Sequence, residues 1–378
     1  MKNLPNITWC SKCVVPDSSA VTLTFDEEHV CSACKVNMQK KDIDWSERLE
    51  GLLEDIEPYR KPSGYECVIG VSGGKDSYYQ THFVKEILGL NPLLVTYNGN
   101  NYLEQGWENL QNMKDAFNVD HIIFSPGTDF LIRLNRLGFK MMGDMNWHNH
   151  AGIATTPMRM ASDMKIPLVF YGEHGWTDLG GMHSMHDMVE YTTRYRKDQL
   201  LRGYDWQDML NDNEEKITER EMEYCKYPTD EEINTLGLRG LFIGNYDKWD
   251  ANEHTKLVIE KYNWKESPVP FERTYRRFSN LDDMYENGVH DYLKYIKFGY
   301  GRGTDHACKD IRSGYMTREE GIEMVKKYDH VRSKDTDHWL NYVGMKPDEF
   351  IKIADSFRSD KVWAKLDSGE WKKRNIWD

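Results

Sequence analysis

Two groups of residues in this chain have the types and spacing to do chemistry. The first is cysteine. Two residues separate Cys10 from Cys13, Cys31 and Cys34 repeat that spacing, and seventeen residues separate the pairs. Each pair can turn two sulfurs toward one tetrahedral ion, so the four thiolates predict a zinc ribbon; an iron–sulfur cluster is the alternative four-thiolate occupant. Four protein ligands leave no position open for substrate, so the metal would staple a short module. The second group lies in ECVIGVSGGKDSYYQTHFVKEILG (66–89), which sets Ser72, Gly73, Gly74, Lys75, Asp76 and Ser77 between an apolar run and an amphipathic one. A glycine-rich turn that leaves a strand and opens a helix presents backbone N–H groups at the positive end of the helix dipole, and phosphate is the expected anion. Ile69 stands where the common nucleotide loop has its first glycine, and Asp76 follows Lys75 where that loop has Ser or Thr, so the stretch is a different device.

Further candidates are single residues. Glu173, in YGEHG, follows an apolar run, at a strand's carboxyl end where ligands of open α/β sheets collect. A carboxylate there can bind magnesium; a solvated loop glutamate is the alternative. His174 beside it is expected to be exposed. In GYGRGTDHACKD, Thr304 is expected to cap a helix on which Arg302, His306 and Lys309 fall near one face by i, i+4, i+7 spacing. Such a positive face would suit phosphate or a sugar carboxylate; a solvated charge stripe is the alternative. His148 and His150, in NWHNHAG, are two residues apart, which does not bring two imidazoles together on a helix. A polar or substrate-facing loop is expected there rather than a second metal. Cys67, Cys225 and Cys308 stand alone outside any nucleophile-elbow motif, so the chain shows no glutaminase of its own.

The elements that must position these residues read as four zones. Residues 1–45 form the cysteine module. From 60 to 177, short apolar runs (ECVIGV, PLLVTY, DHIIF, PLVFYG) alternate with amphipathic ones, which predicts an α/β domain with a parallel sheet and crossover helices. Residues 178–228 are polar and aromatic without a strand signal and read as an insertion or lid. Residues 229–378 read as mainly helical, and Thr317 with Glu320 has capping-box spacing. A formal net charge of −13 argues against a surface that holds nucleic acid and favours small molecules and protein partners. No apolar run is long enough to cross a membrane and the start MKNLPNITWCSKC lacks a secretory signal, so a cytoplasmic protein without a membrane partner is expected.

VSGGKDS resembles the loop of the ATP-pyrophosphatase (PP-loop) families, whose pattern is S-G-G-x-D-S after the first strand of a HUP-type sheet. That resemblance implies that Ser72, Gly73, Gly74 and Ser77 hold pyrophosphate, that Lys75 offsets its charge, and that Asp76 helps position magnesium. It also makes the backbone from Val95 to Tyr97 a candidate for adenine recognition and gives Glu173 a magnesium role. TPMRMASDMKIPLVFYGEHG (156–175) and YIKFGYGRGTDHACKDIRSGYMTREEGIEMVKKYD (295–329), with the cysteine pairs, resemble the N-acetyl sugar amidotransferases of bacterial surface-glycan synthesis, across essentially the whole chain. The resemblance implies ATP, Mg2+ and Zn2+ as cofactors and adenylation of the acetamido group of an N-acetyl sugar, which is expected to be nucleotide-linked. It further implies ammonia from a separate glutaminase of the kind used in histidine biosynthesis. Two other readings share the loop: a PP-loop enzyme that thiolates tRNA, and a zinc-bearing nucleotide-binding module without catalysis.

Overall fold

The structure, a computed structural model, describes residues 4–211, 214–278 and 284–378, so Met1–Asn3 of the start quoted above lie outside the described residues. Five strands, β1 (Cys67–Gly70), β2 (Pro92–Tyr97), β3 (His121–Phe124), β4 (Leu168–Tyr171) and β5 (Arg239–Phe242), pair in parallel in the order β3-β2-β1-β4-β5. β1, β2 and β4 are near-continuous apolar runs because they are covered on both faces. This is the parallel α/β sheet expected. The chain runs outward from β1 to β3, then crosses to β4 and β5 on the other side. That reversal opens a crevice at the carboxyl ends of β1 and β4, the position where such sheets bind ligands.

One strand corrects the expected boundaries. β5 lies in the region read as helical, so the sheet is completed only after residues 178–228. RGLF is short and follows directly on helix Asp230–Leu236, whose capping box and left-handed Gly237 dominate the local pattern. The intervening stretch packs through Leu201, Met209, Met222 and Cys225 on Phe130, Leu134 and Trp147.

Helix Lys75–His82 starts directly behind the glycine turn, and helix Trp147–Asp163 covers β1, β2 and β4. The latter approaches the sheet closely because β1 ends in Gly70, whose missing β-carbon would lie 2.9 Å from Pro157 Cγ. NWHNHAG, expected to be a loop, is the start of this helix. Its Asn146 makes no side-chain cap, so the usual start signal is missing.

The C-terminal region is helical: Met284–Phe298, Arg302–Ser313, Arg318–Tyr328, Asp335–Val343 and Pro347–Ser356, then a hairpin of β6 (Ala364–Lys365) and β7 (Trp371–Lys372). Thr317 and Glu320 form the expected capping box. Thr304 is not a cap, because Gly301 holds that position. Thr304 instead donates its N–H and hydroxyl to Asp329, at 3.0 and 2.6 Å. The region shares a core with the α/β part, with Phe139 and Met145 packed against Leu293, Trp339 and Phe350. The cysteine module is likewise closed by C-terminal residues: Val14 and Val15 pack with Ala307 and Cys308, and Arg318 donates to the carbonyls of Cys10 and Cys13.

Candidate active site

The turn after β1 is tied together internally. The Ser72 N–H donates to Ser77 Oγ at 2.9 Å and the two hydroxyls lie 3.2 Å apart. Gly73 has φ +85°, and a β-carbon there would sit 2.8 Å from the backbone of Leu110, so only glycine fits. Its carbonyl accepts from Trp264 Nε1 at 2.9 Å. Gly74 opens helix Lys75–His82 with no side chain capping the first turn, leaving donors of that turn for an anion. Lys75 is buried and donates to Asp76 Oδ1 at 2.6 Å. Burial pulls the Lys75 ammonium below its ordinary range, with Asp76 opposing and Lys309 and Arg276 reinforcing. Burial alone would raise the Asp76 carboxyl; Lys75 beside it and Lys309 outweigh that and hold it below its usual value.

Three cavities meet at this turn. One of about 210 Å³ lies at the carboxyl ends of β1 and β2, a largely apolar pocket lined by Gly70, Val95, Tyr97, Gly99, Ile153 and Pro157. The Val95 carbonyl is already used by the Val71 N–H at 2.9 Å. The Tyr97 hydroxyl is spent on His148 and Tyr224, and its ring lies against Gly152. A second cavity, about 270 Å³, has both Asp76 and Glu173 in its wall, with Tyr191, Tyr195 and Leu200 from the 178–228 stretch. Two carboxylates facing one space fit a magnesium ion that takes its remaining ligands from phosphates and water. Glu173 here accepts from Lys309 Nζ at 2.5 Å. His174, expected to be exposed, is buried and caps the short helix Gly175–Asp178 through Nδ1.

The third, a large cavity of about 430 Å³, runs from Ser72, Lys75 and Asp76 to the C-terminal helices. Arg302, His306 and Lys309 line it together, as their spacing implied. Only two of them are charged. His306 bonds Thr274 Oγ1 at 2.6 Å, and burial together with Arg276, Arg302 and Lys309 pushes its pKa well below the ordinary range. Arg302 is held by Asp291 at 2.8 Å. Arg276, Lys294 and Arg312 add three further cations, while Asp76 and Asp305 are the carboxylates in the wall. Cations outnumber carboxylates on the wall itself, although Asp310, Asp291 and Glu173 pair with Arg276, Arg302 and Lys309 from behind it, so an anionic occupant would have to share these cations with their carboxylates. Arg276, Lys294, Trp264 and His290 escaped the sequence reading. The basic run ERTYRRF (272–278) in so acidic a chain was the one available signal for Arg276. His148 is buried between Tyr97 and Asn135, and His150 lines the large cavity, so the two rings face different neighbours.

The four cysteines are buried, their sulfurs all within 4.8 Å of one another, with Cys10–Cys34 at 3.9 Å and Cys13–Cys31 at 3.8 Å. A tetrahedral ion with metal–sulfur bonds of about 2.3 Å sets its sulfurs about 3.8 Å apart, so the cage fits one ion; a four-iron cube needs a wider one. Arg312 reaches Cys34 at 3.5 Å and Cys13 and Cys31 at 3.7 Å, placing a positive charge against the thiolates. Val15, Ser19 and Val21 of the module form part of the large cavity's wall. Among the described residues no helix is long and apolar enough to cross a membrane.

Comparison with known proteins gives relatives of several kinds. An uncharacterized protein of Methanocaldococcus jannaschii, MJ1599, is 27% identical over 117 residues, 31% of this chain and 42% of that protein's length. Among solved structures, the U34-tRNA thiolase NcsA from Methanococcus maripaludis, determined with its 4Fe-4S cluster, aligns over 83% of this chain and 87% of its own, at 14% identity and a TM-score of 0.32. The NH3-dependent NAD synthetase of Campylobacter jejuni, in complex with nitrate, aligns over 52% of this chain and 93% of its own, at 16% identity and a TM-score of 0.27. The stretch that brings Arg276, His290, Lys294, Arg302 and Lys309 to the large cavity, residues 272–376, matches the C-terminal domain of the WbpG-like lipopolysaccharide-biosynthesis proteins.

Proposed function

We propose that this protein is an ATP-dependent amidotransferase that converts the acetamido group of an N-acetyl sugar, carried on a nucleotide, into an acetamidino group. The observation that carries this reading is the shared cavity: the Ser72–Ser77 turn opens into the same space as the cationic wall supplied by the WbpG-like region. An acetamide oxygen is a poor leaving group, and adenylation improves it. In this reading adenosine lies in the slot at Val95 and Tyr97, and the β- and γ-phosphates lie on the turn. Ser72, Ser77 and the backbone of Gly73 and Gly74 receive the departing pyrophosphate, and Lys75 with Lys309 and Arg276 offsets its charge. Magnesium, held by Asp76 and Glu173, would neutralise charge between the α- and β-phosphates. Glu173 must then exchange Lys309 for the metal, which frees Lys309 to meet phosphate. Arg302 and Lys294 face the sugar nucleotide, whose own phosphates explain the excess of cations. Zinc in the cysteine cage holds the cavity wall in shape, and ammonia comes from a separate glutaminase.

The test is to incubate the pure chain with ATP, magnesium, ammonium and a panel of UDP-linked acetamido sugars. The expected result is AMP, pyrophosphate and a product in which NH has replaced oxygen. AMP formed only with tRNA would instead support the thiolation reading, and cleavage to ADP would end both.

A further inference from the structure

Part of the large cavity's wall is made by two helices that meet from distant parts of the chain. Trp147–Asp163 contributes Asn149 and His150, and Met284–Phe298 contributes Asn287, His290 and Lys294. His290 is anchored from behind. Its Nδ1 lies 3.0 Å from Oδ1 of the buried Asp144, whose other oxygen is paired with Arg202. With Arg202 and His290 beside it, the Asp144 carboxyl stays ionised despite its burial. An aspartate on Nδ1 fixes the tautomer, so Nε2 is the acceptor nitrogen of a ring that lines the cavity, and the carboxylate stabilises the imidazolium once a proton arrives.

The amination step needs such a group. When ammonia adds to the carbon of the adenylated amide, its nitrogen becomes positively charged. Unless it loses a proton, that nitrogen has no lone pair to join the amidine and expelling AMP would leave two adjacent positive charges, so the step stalls. The wall offers few acceptors among the described residues. Asp76 and Asp305 are each bound to a lysine, at 2.6 Å. His306 is surrounded by Arg273, Arg276, Arg302 and Lys309, which oppose a further positive charge. His150 has no hydrogen-bond partner at Nε2, yet burial, with Arg202 and His290 nearby, lowers its pKa to about 3. His290, by contrast, has a carboxylate directly behind it.

We propose that His290, oriented by Asp144, is the general base of the amination half-reaction. The step rests on the amidotransferase reading above. The ammonia nitrogen forms its bond to the imidate carbon while the sugar-side nitrogen still carries its proton. His290 Nε2 takes one proton from the new ammonium, and the C–O bond to AMP breaks with the electron pair leaving on AMP. Amidinium, AMP and imidazolium are the products, and the imidazolium returns its proton to solvent.

The two half-reactions can be read separately. Exchange of labelled pyrophosphate into ATP, with the acetamido sugar and no ammonium, reports adenylation; amidine formation with ammonium chloride reports the whole reaction. His290→Gln is expected to keep exchange within about threefold while amidine formation falls by about 10²–10⁴-fold. Asp144→Asn, which removes the positioning carboxylate and leaves the ring, is expected to show the same split, more mildly. Equal loss of both activities in folded His290→Gln protein, or an unchanged rate of amidine formation, would overturn the proposal; should that variant not fold, an unsplit loss in Asp144→Asn would do so. Wild-type protein that shows no exchange with any acetamido sugar would sink the amidotransferase reading itself, a result distinct from either.

Discussion

Gly73 is the most constrained residue of the phosphate turn. Gly73→Ala meets both a left-handed backbone and the main chain of Leu110, neither of which can yield cheaply; the strain alone is about 1–3 kcal/mol. The expected outcome is a lowered melting temperature together with loss of pyrophosphate exchange. Ser72→Ala and Asp76→Asn, the latter keeping an acceptor for the buried Lys75, test the chemistry apart from the fold: each is expected to cut exchange by about 100-fold or more with little change in the melting curve. Glu286 offers a pH test. It is fully buried, Asn101 and Asn149 offer its carboxyl hydrogen bonds while Oε2 is left without a partner, and burial raises its pKa from 4.5 to about 8. Because the folded value lies above the unfolded one, folding takes up a proton between those limits, and stability falls as pH rises from about 4.5 to 8. Glu286→Gln is expected to melt with wild type near pH 4.5 and several degrees above it at pH 8; curves that stay parallel would contradict this. The strand–turn–helix at Ser72–Ser77 was legible because all its parts are consecutive in VSGGKDS. Asp144 and His290 were not, because 146 positions separate them and neither sits in a local pattern.

At the level of elements, helix Arg302–Ser313 does two jobs with one face. Arg302, His306 and Lys309 turn to the cavity, and Arg312, the next residue in that series, lies against three of the cysteine sulfurs. Loss of metal is therefore expected to act on substrate binding as well as on stability. Treatment with a strong chelator should release one ion per chain and raise the KM for the sugar more than the KM for ATP, measured by exchange; an equal effect on both would mean that the cage is only a staple. The i, i+4, i+7 spacing was enough to place this face correctly. It could not show which charges survive, since the neutrality of His306 comes from Arg276 and burial. Thr304 was misread for a related reason: its partner Asp329 arrives from another helix. β5 was missed because four residues between a capped helix and a loop carry too little periodicity, whereas β1, β2 and β4 announced themselves as unbroken apolar runs.

The molecule as a whole is less divisible than its sequence zones. Phe139 and Met145 share a core with Trp339 and Phe350, and Val14 and Val15 share one with Ala307 and Cys308. Deleting residues 1–40 is accordingly expected to expose Ala307 and Ile311 and to give aggregated protein or a large drop in melting temperature; a deletion variant that melts like the full chain would show the module to be independent. The ends meet at the cysteine cage, and this has a consequence for how the protein is made. Cys34 and Arg312 are 278 positions apart. At ordinary elongation rates the four thiols wait about 15 to 55 seconds on the ribosome before the arginine that shields them is synthesised. During that wait the thiols lack the cover that Arg312 gives them in the folded chain.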